Sequence, residues 1–158
     1  LVCVRVWGLR PGVSQHDADE LAIWRGQAFQ RTNILRDFRQ DYDDTPRRVY
    51  LPTSAFERAG VSPEEVRNWV DPARCGPFIA RQAEIARAYY TRSAPLDEMI
   101  QPDCRPTLWA MTRIYSGILE LIERDPRSIV GERRLRLGGL AKCAIASRAL
   151  LKARLGRW

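Results

Sequence analysis

The chain has 158 residues, of which 45% are hydrophobic and 28% charged, a composition that excludes a disordered chain and fits one domain or a large piece of one. No apolar run approaches the roughly 18 residues that cross a bilayer; the longest, Leu140 to Leu151, is interrupted by Lys142 and Arg148. The net charge of +7 is concentrated at the end, because residues 133–158 carry eight Lys or Arg and no acid, leaving the rest close to neutral. Such a tail is either a solvated helix face or a surface that meets phosphates, anionic lipids or nucleic acid.

Residues 1–9 are apolar but broken by Arg5, with no basic segment before them, so they do not read as a signal peptide. Leu1 is not a natural start, which leads us to expect sequence upstream. The four cysteines, Cys3, Cys75, Cys104 and Cys143, are far apart without a C-x-x-C, as expected of reduced thiols in a cytoplasmic protein. His16 is the only histidine, which argues against a histidine-based zinc site or catalytic triad.

In chain order the predicted elements are nearly all helices. Residues 1–8 read as the end of a helix stopped by Gly8 and Pro11. A long helix is predicted from about 16 to 39, with Ser14 or Asp17 as N-cap and Asp17, Asp19 and Glu20 at the positive end of its dipole. Residues 42–53, holding Pro46 and Pro52, read as loop, and a short helix covers 54–59. Ser62-Pro63-Glu64-Glu65 is a capping-box start, followed by a helix kept short by Pro72 and Gly76-Pro77. Further helices are predicted over 77–93, 106–124 and 138–155, separated by Pro95, Pro102 and Asp125-Pro126. Leu108, Met111, Tyr115, Ile118, Leu119 and Ile122 give the second of these a helical apolar face, on which Tyr115 reads as core. On the last helix Leu140, Ala144, Leu151 and Leu155 share a face, which suits docking on a core or contact with an anionic membrane, and Cys143 reads as a buried thiol. No alternating run reads as a strand, so the fold class is all-α.

The chemistry lies in the segment from Gln30 to Asp41. On a helix turning about 100° per residue, Gln30, Asn33, Asp37 and Asp41 line a stripe about 80° wide. Asp37 and Asp41 are one turn apart and repel each other unless a cation offsets the charge. Oxygen-only donors suit Mg²⁺, which keeps several waters and is commonly completed by phosphates, and Arg36 and Arg39 flank the stripe where they could hold phosphate oxygens. A D-x-x-x-D pair alone is more often a solvated acidic face. Gln30 and Asn33 in register, with apolar Phe29, Ile34, Leu35 and Phe38 beside them, bring the metal reading level with it.

The string Gly26-Gln27-Ala28-Phe29-Gln30-Arg31-Thr32-Asn33-Ile34-Leu35-Arg36-Asp37, then Asp41, then Arg48-Val49-Tyr50-Leu51-Pro52, resembles the second aspartate-rich region of the squalene/phytoene synthase family. Arg113-Ile114-Tyr115-Ser116-Gly117-Ile118-Leu119 looks like that family's late helix with its active-site tyrosine, and the basic segment around Arg133, Arg134 and Lys142 looks like its C-terminal end. The resemblance implies an all-α bundle of the isoprenoid synthase type, here without its N-terminal helices. It implies Mg²⁺-dependent head-to-head joining of two prenyl diphosphates, farnesyl or geranylgeranyl, through a cyclopropyl diphosphate to squalene, hydroxysqualene or phytoene. By match, Asn33, Asp37 and Asp41 lie on the metal side, with Asp37 and Asp41 catalytic, and Gln30, Arg36 and Tyr115 contact substrate.

The chain departs from the family pattern in three ways. The first aspartate-rich motif is absent, Gln40 stands where a Glu is common, and Tyr42-Asp43-Asp44-Thr45-Pro46 is an acidic linker whose Asp43 and Asp44 read as loop acids. With one acidic wall, the chain by itself is expected to be inactive. NADPH, which could reduce a product, stays open: the sequence does not support it, and the lack of a G-x-G-x-x-G decides little. The competing readings are a non-catalytic scaffold of the same fold, opposed by the retained acids, and a basic nucleic-acid binder, for which no recognition motif is present; no nucleic-acid partner is expected.

Overall fold

The computed structural model describes residues 2–155; the Leu155 side chain, assigned above to the apolar face of the last helix, lies outside the described residues. Within them the regular structure is helical. In order come α1 (Val2–Trp7), α2 (Gln15–Arg36), α3 (Phe38–Asp43), α4 (Thr53–Ala59), α5 (Pro63–Asn68), α6 (Pro72–Arg92), α7 (Leu96–Met99), α8 (Arg105–Arg124) and α9 (Gly139–Leu155). Two 3₁₀ turns, Pro102–Cys104 and Pro126–Val130, and an isolated antiparallel bridge between Leu9 and Ile100 complete the path. The all-α expectation holds.

Side-chain caps set several of the helix starts. The Ser14 hydroxyl accepts from the Asp17 amide at 3.3 Å and opens α2. At α5 the capping box is complete: the Ser62 hydroxyl accepts from the Glu65 amide at 3.1 Å, and the Glu65 carboxylate accepts from the Ser62 amide at 2.7 Å. Gly60, at φ 64°, ends α4 in the left-handed region that glycine enters without strain.

Helix α6 begins at Pro72 and not at 77. The Asp71 carboxylate accepts from the Ala73 amide at 3.0 Å and Pro72 takes the first helical position, so the helix is already running when it meets Pro77. Packing then outweighs the one backbone hydrogen bond that Pro77 removes, since Cys75, Phe78 and Ile79 on either side of it are buried. The predicted 16–39 helix is divided at Asp37, whose backbone (φ −97°, ψ 5°) leaves helical geometry.

The main core lies between α2, α6 and α8. Ala28, Leu35, Phe56, Phe78, Ile79, Ala83, Ala86, Leu119 and Ile122 fill it, the alanines letting the backbones of α2 and α6 approach closely. Each fully buried Leu or Ile contributes roughly 1.5–3 kcal/mol. A second cluster, built on Val4, Ala18, Ala22, Leu96, Ile100 and Leu108, binds α1 and α7 to the first half of α2.

The last helix departs from the core-docking reading of its leucine face and from the buried reading of Cys143. Leu140 is 90% and Leu151 57% exposed, and Cys143 is exposed rather than buried. Helix α9 instead meets α8 through Ala149, with Arg148 and Lys152 over the Trp109 ring at 5.9 and 5.2 Å from its centroid. The ring meets α9 by cation–π contact, while Leu140 and Leu151 stay exposed.

Candidate functional site

The two acidic residues of the stripe sit on consecutive turns although α2 ends between them. The Asp37 amide donates to the Asn33 carbonyl at 2.8 Å, and the Asp41 amide donates to the Asp37 carbonyl at 2.9 Å. The i to i+4 hydrogen bonding therefore runs across the break, and Asn33, Asp37 and Asp41 keep helical register. Buried Leu35 and Phe38 fix the back of this segment against the main core.

Asp37 is the electrostatic centre. Arg36 donates through Nε and Nη2 at 2.8 and 2.6 Å, and Arg134 donates through the same pair of atoms at 2.7 and 2.8 Å. Burial alone would push this carboxyl up; the two guanidinium forks outweigh it and hold it at about 2, so Asp37 is ionised at neutral pH. Asp41 is shifted the opposite way: burial raises it, with Arg48 opposing and the Asp37 and Asp44 carboxylates adding to the rise. Asn33 is half-buried, and its Oδ1 is buried without a hydrogen-bond partner. A buried unpaired amide oxygen carries a desolvation penalty of about 1–3 kcal/mol, which a cation or a water would relieve.

Gln30 lies at the exposed start of the stripe. Tyr115 is half-buried on α8 and stacks on Phe29 with centroids 4.7 Å apart, so its packing role is real. It also lines a cleft of about 350 Å³ with Arg36, Arg134, Arg136 and Lys142, which joins it to the cationic border of the stripe. A second cleft, of about 240 Å³, shares Arg36 and Arg134 with it and is lined also by Arg39 and Arg133. Arg39 is 3.5 Å from Asp43, which also receives a two-point fork from Arg67 at 2.7 and 2.6 Å, and Asp44 pairs with Arg48. The linker acids are thus engaged in ion pairs.

Two charged groups of consequence were not found from the sequence. Arg134 was placed only in a basic segment, and nothing local signals its partner 97 positions earlier. Arg25 was passed over; it is 3% exposed and donates to the Ser93 hydroxyl and carbonyl, to Asp97 and to Thr112. An arginine on an alanine-rich helix face facing the core was the available signal.

Among the described residues no group of three or more His, Cys, Asp and Glu is placed to hold a metal. The stripe offers two carboxylates and an amide. That donor set fits Mg²⁺, which takes one or two protein carboxylates and completes its octahedron with water and phosphate oxygens, and the unpaired Asn33 Oδ1 is an oxygen in want of such a partner.

An all-helical core thus carries an oxygen-donor stripe bordered by arginines. The chain belongs to the squalene/phytoene synthase family, whose family model, described as squalene/phytoene synthase, matches residues 1–141. It is 31% identical over 152 residues to the phytoene synthase of Mycobacterium tuberculosis, covering 94% of this chain and 48% of that protein. To the 15-cis-phytoene synthase of Synechocystis it is 32% identical over 114 residues, covering 72% of this chain and 33% of that one. Phytoene synthase 1 of Zea mays is 33% identical over 104 residues, covering 66% and 25%. The chain spans about half the length, or less, of these relatives.

Proposed function

We propose that this chain supplies one acidic wall of a Mg²⁺-dependent site that condenses two prenyl diphosphates head to head, with phytoene as product. The observation that carries the reading is Asn33 Oδ1, buried and unpartnered on the same helical stripe as Asp37 and Asp41. The relatives' names support phytoene, and so geranylgeranyl diphosphate, over squalene; a cyclopropyl diphosphate is the intermediate that head-to-head joining implies.

Asn33, Asp37 and Asp41 would hold the metal, which when bound neutralises diphosphate charge and so favours its departure. Arg36, whose fork already fixes the plane of the Asp37 carboxylate, orients that ligand and adds positive charge beside it. Gln30 presents an amide at the mouth of the stripe. Tyr115 and Phe29 form an aromatic wall that keeps water from the greasy part of a substrate, a requirement where a carbocation must not be hydrolysed. With one such wall, the chain alone is expected not to turn over.

Titration of the chain with Mn²⁺, followed by electron paramagnetic resonance, tests the ligand set. Asn33→Ala and Asp41→Ala are each expected to weaken binding by about tenfold or more. Binding unchanged in both would remove these residues from the metal.

On the same reading α9 rests on an anionic membrane surface, since exposed Leu140, Leu150 and Leu151 share a helix with Lys142, Arg148 and Arg154 and no acid. Sedimentation with vesicles is expected to rise with their anionic lipid content; equal sedimentation with neutral vesicles would leave α9 a structural helix. No described helix is long and apolar enough to cross a membrane.

A further inference from the structure

The three oxygen donors of the stripe are in unlike states. Asn33 Oδ1 has no partner, whereas Asp37 is saturated. Its two oxygens offer about four lone-pair positions, and four guanidinium N–H groups already point at them, two from Arg36 and two from Arg134. A cation can gain this carboxylate only by displacing one fork.

The two arginines are not equally placed to leave. Arg36 adjoins Asp37 at the end of α2, and its side chain is 15% exposed. Arg134 is 44% exposed and stands on the strap of residues 131–138 between the second 3₁₀ turn and α9. The strap is seated on the main core by Leu135 and Leu137, both half-buried. Gly117 of α8 makes the seat: a Cβ there would stand 3.0 and 3.1 Å from the two terminal methyls of Leu137, tighter than most packed carbons, so that Leu137 would have to give by a few tenths of an ångström. The strap thus has a seat on α8 and a side-chain clasp from Arg134 to Asp37.

We infer that Arg134 is an internal counter-cation that clasps the 131–138 strap over Asp37 and competes with a divalent cation for that carboxylate, so that cation binding releases the clasp. The inference rests on the metal reading proposed above. It accounts for the full pairing of Asp37: the guanidinium neutralises the carboxylate that would otherwise repel Asp41 one turn away.

Two readouts on the 158-residue chain test it. The first is Mn²⁺ affinity of wild type, Arg134→Gln and Gly117→Ala. Arg134→Gln removes the competitor and is expected to tighten binding by roughly three- to tenfold, the range of a part-exposed two-point ion pair. Gly117→Ala keeps Arg134 but pushes Leu137 off its seat by a few tenths of an ångström, and is expected to tighten binding less, in the same direction. The second readout is the trypsin cleavage rate after Arg136. Without metal it is expected to be faster in Arg134→Gln than in wild type, and Mn²⁺ is expected to speed it in wild type but not in Asp37→Asn. Equal or weaker Mn²⁺ binding by Arg134→Gln, with binding still dependent on Asp41, overturns the clasp and leaves the metal site standing. No Mn²⁺ binding by any variant overturns both. Cleavage after Arg136 that ignores Arg134→Gln in metal-free protein overturns the clasp whatever the metal does.

Discussion

Asp37→Asn, made in a preparation that carries both acidic walls, is expected to lower the proposed condensation on the order of a hundred- to a thousandfold, the range seen when one preorganised charge-stabilising group is lost. The substitution keeps shape and removes charge. It takes away a proposed metal ligand and leaves the Arg36 and Arg134 forks facing a neutral amide. The stability effect has a defined sign. The Asp37 carboxyl is held at about 2, below its ordinary value of 3.8. It therefore contributes stability that is present above pH 4 and is lost as pH falls through about 2. The side chain is 17% exposed, so the contribution is at most about 2 kcal/mol. The Asn variant should melt lower than wild type at pH 7, and the difference should shrink toward pH 2. A variant that melts like wild type yet keeps more than a few per cent of turnover would remove Asp37 from the chemistry.

What could be read in the sequence was what is local. Ser14 and Ser62 are followed at helical distance by the groups they cap, so α2 and α5 start where the residues say. The stripe from Asn33 to Asp41 is periodicity on one stretch of backbone, and a one-residue lapse at Asp37 leaves its register intact because the flanking hydrogen bonds persist. The errors share a cause. Gly76-Pro77 has the local signature of a break, but tertiary packing of Phe78 and Ile79 carries α6 through it. Helix α9 has leucines enough to dock on a core, yet its anchor is the Trp109 ring on another helix, which no pattern within 138–155 contains. The ion pair between Asp37 and Arg134 spans 97 positions and depends on how the 131–138 strap lies on α8.

Arg25 is the other long-range charge, and Arg25→Met is expected to be the most destabilising single change outside the apolar core. The guanidinium is buried on α2 and reaches three other parts of the fold. Its Nε donates to the Ser93 hydroxyl at 2.8 Å and its Nη2 to the Ser93 carbonyl at 2.9 Å, at the end of α6. Its Nη1 donates to Asp97 of α7 at 2.9 Å and also to Thr112 of α8. Methionine matches much of the volume but none of the donors, so the buried Ser93 carbonyl, at the end of a helix, loses one of two donors and keeps the Leu96 amide. Breaking a buried charged network from one side costs about 3–5 kcal/mol. The low end applies, because Asp97 is 35% exposed and can turn to water. For a chain of this size about 3 kcal/mol corresponds to a fall in melting temperature of roughly 6–12 °C. Asp97→Asn, which keeps an acceptor at the exposed edge, should cost about 1 kcal/mol, and the double variant should cost less than the sum, since both changes break the same contact. Strict additivity would mean that the Arg25–Asp97 pair contributes nothing. An Arg25→Met chain that melts within a degree or two of wild type would mean that α2 is fixed by the alanine-lined core alone, with the guanidinium a passenger.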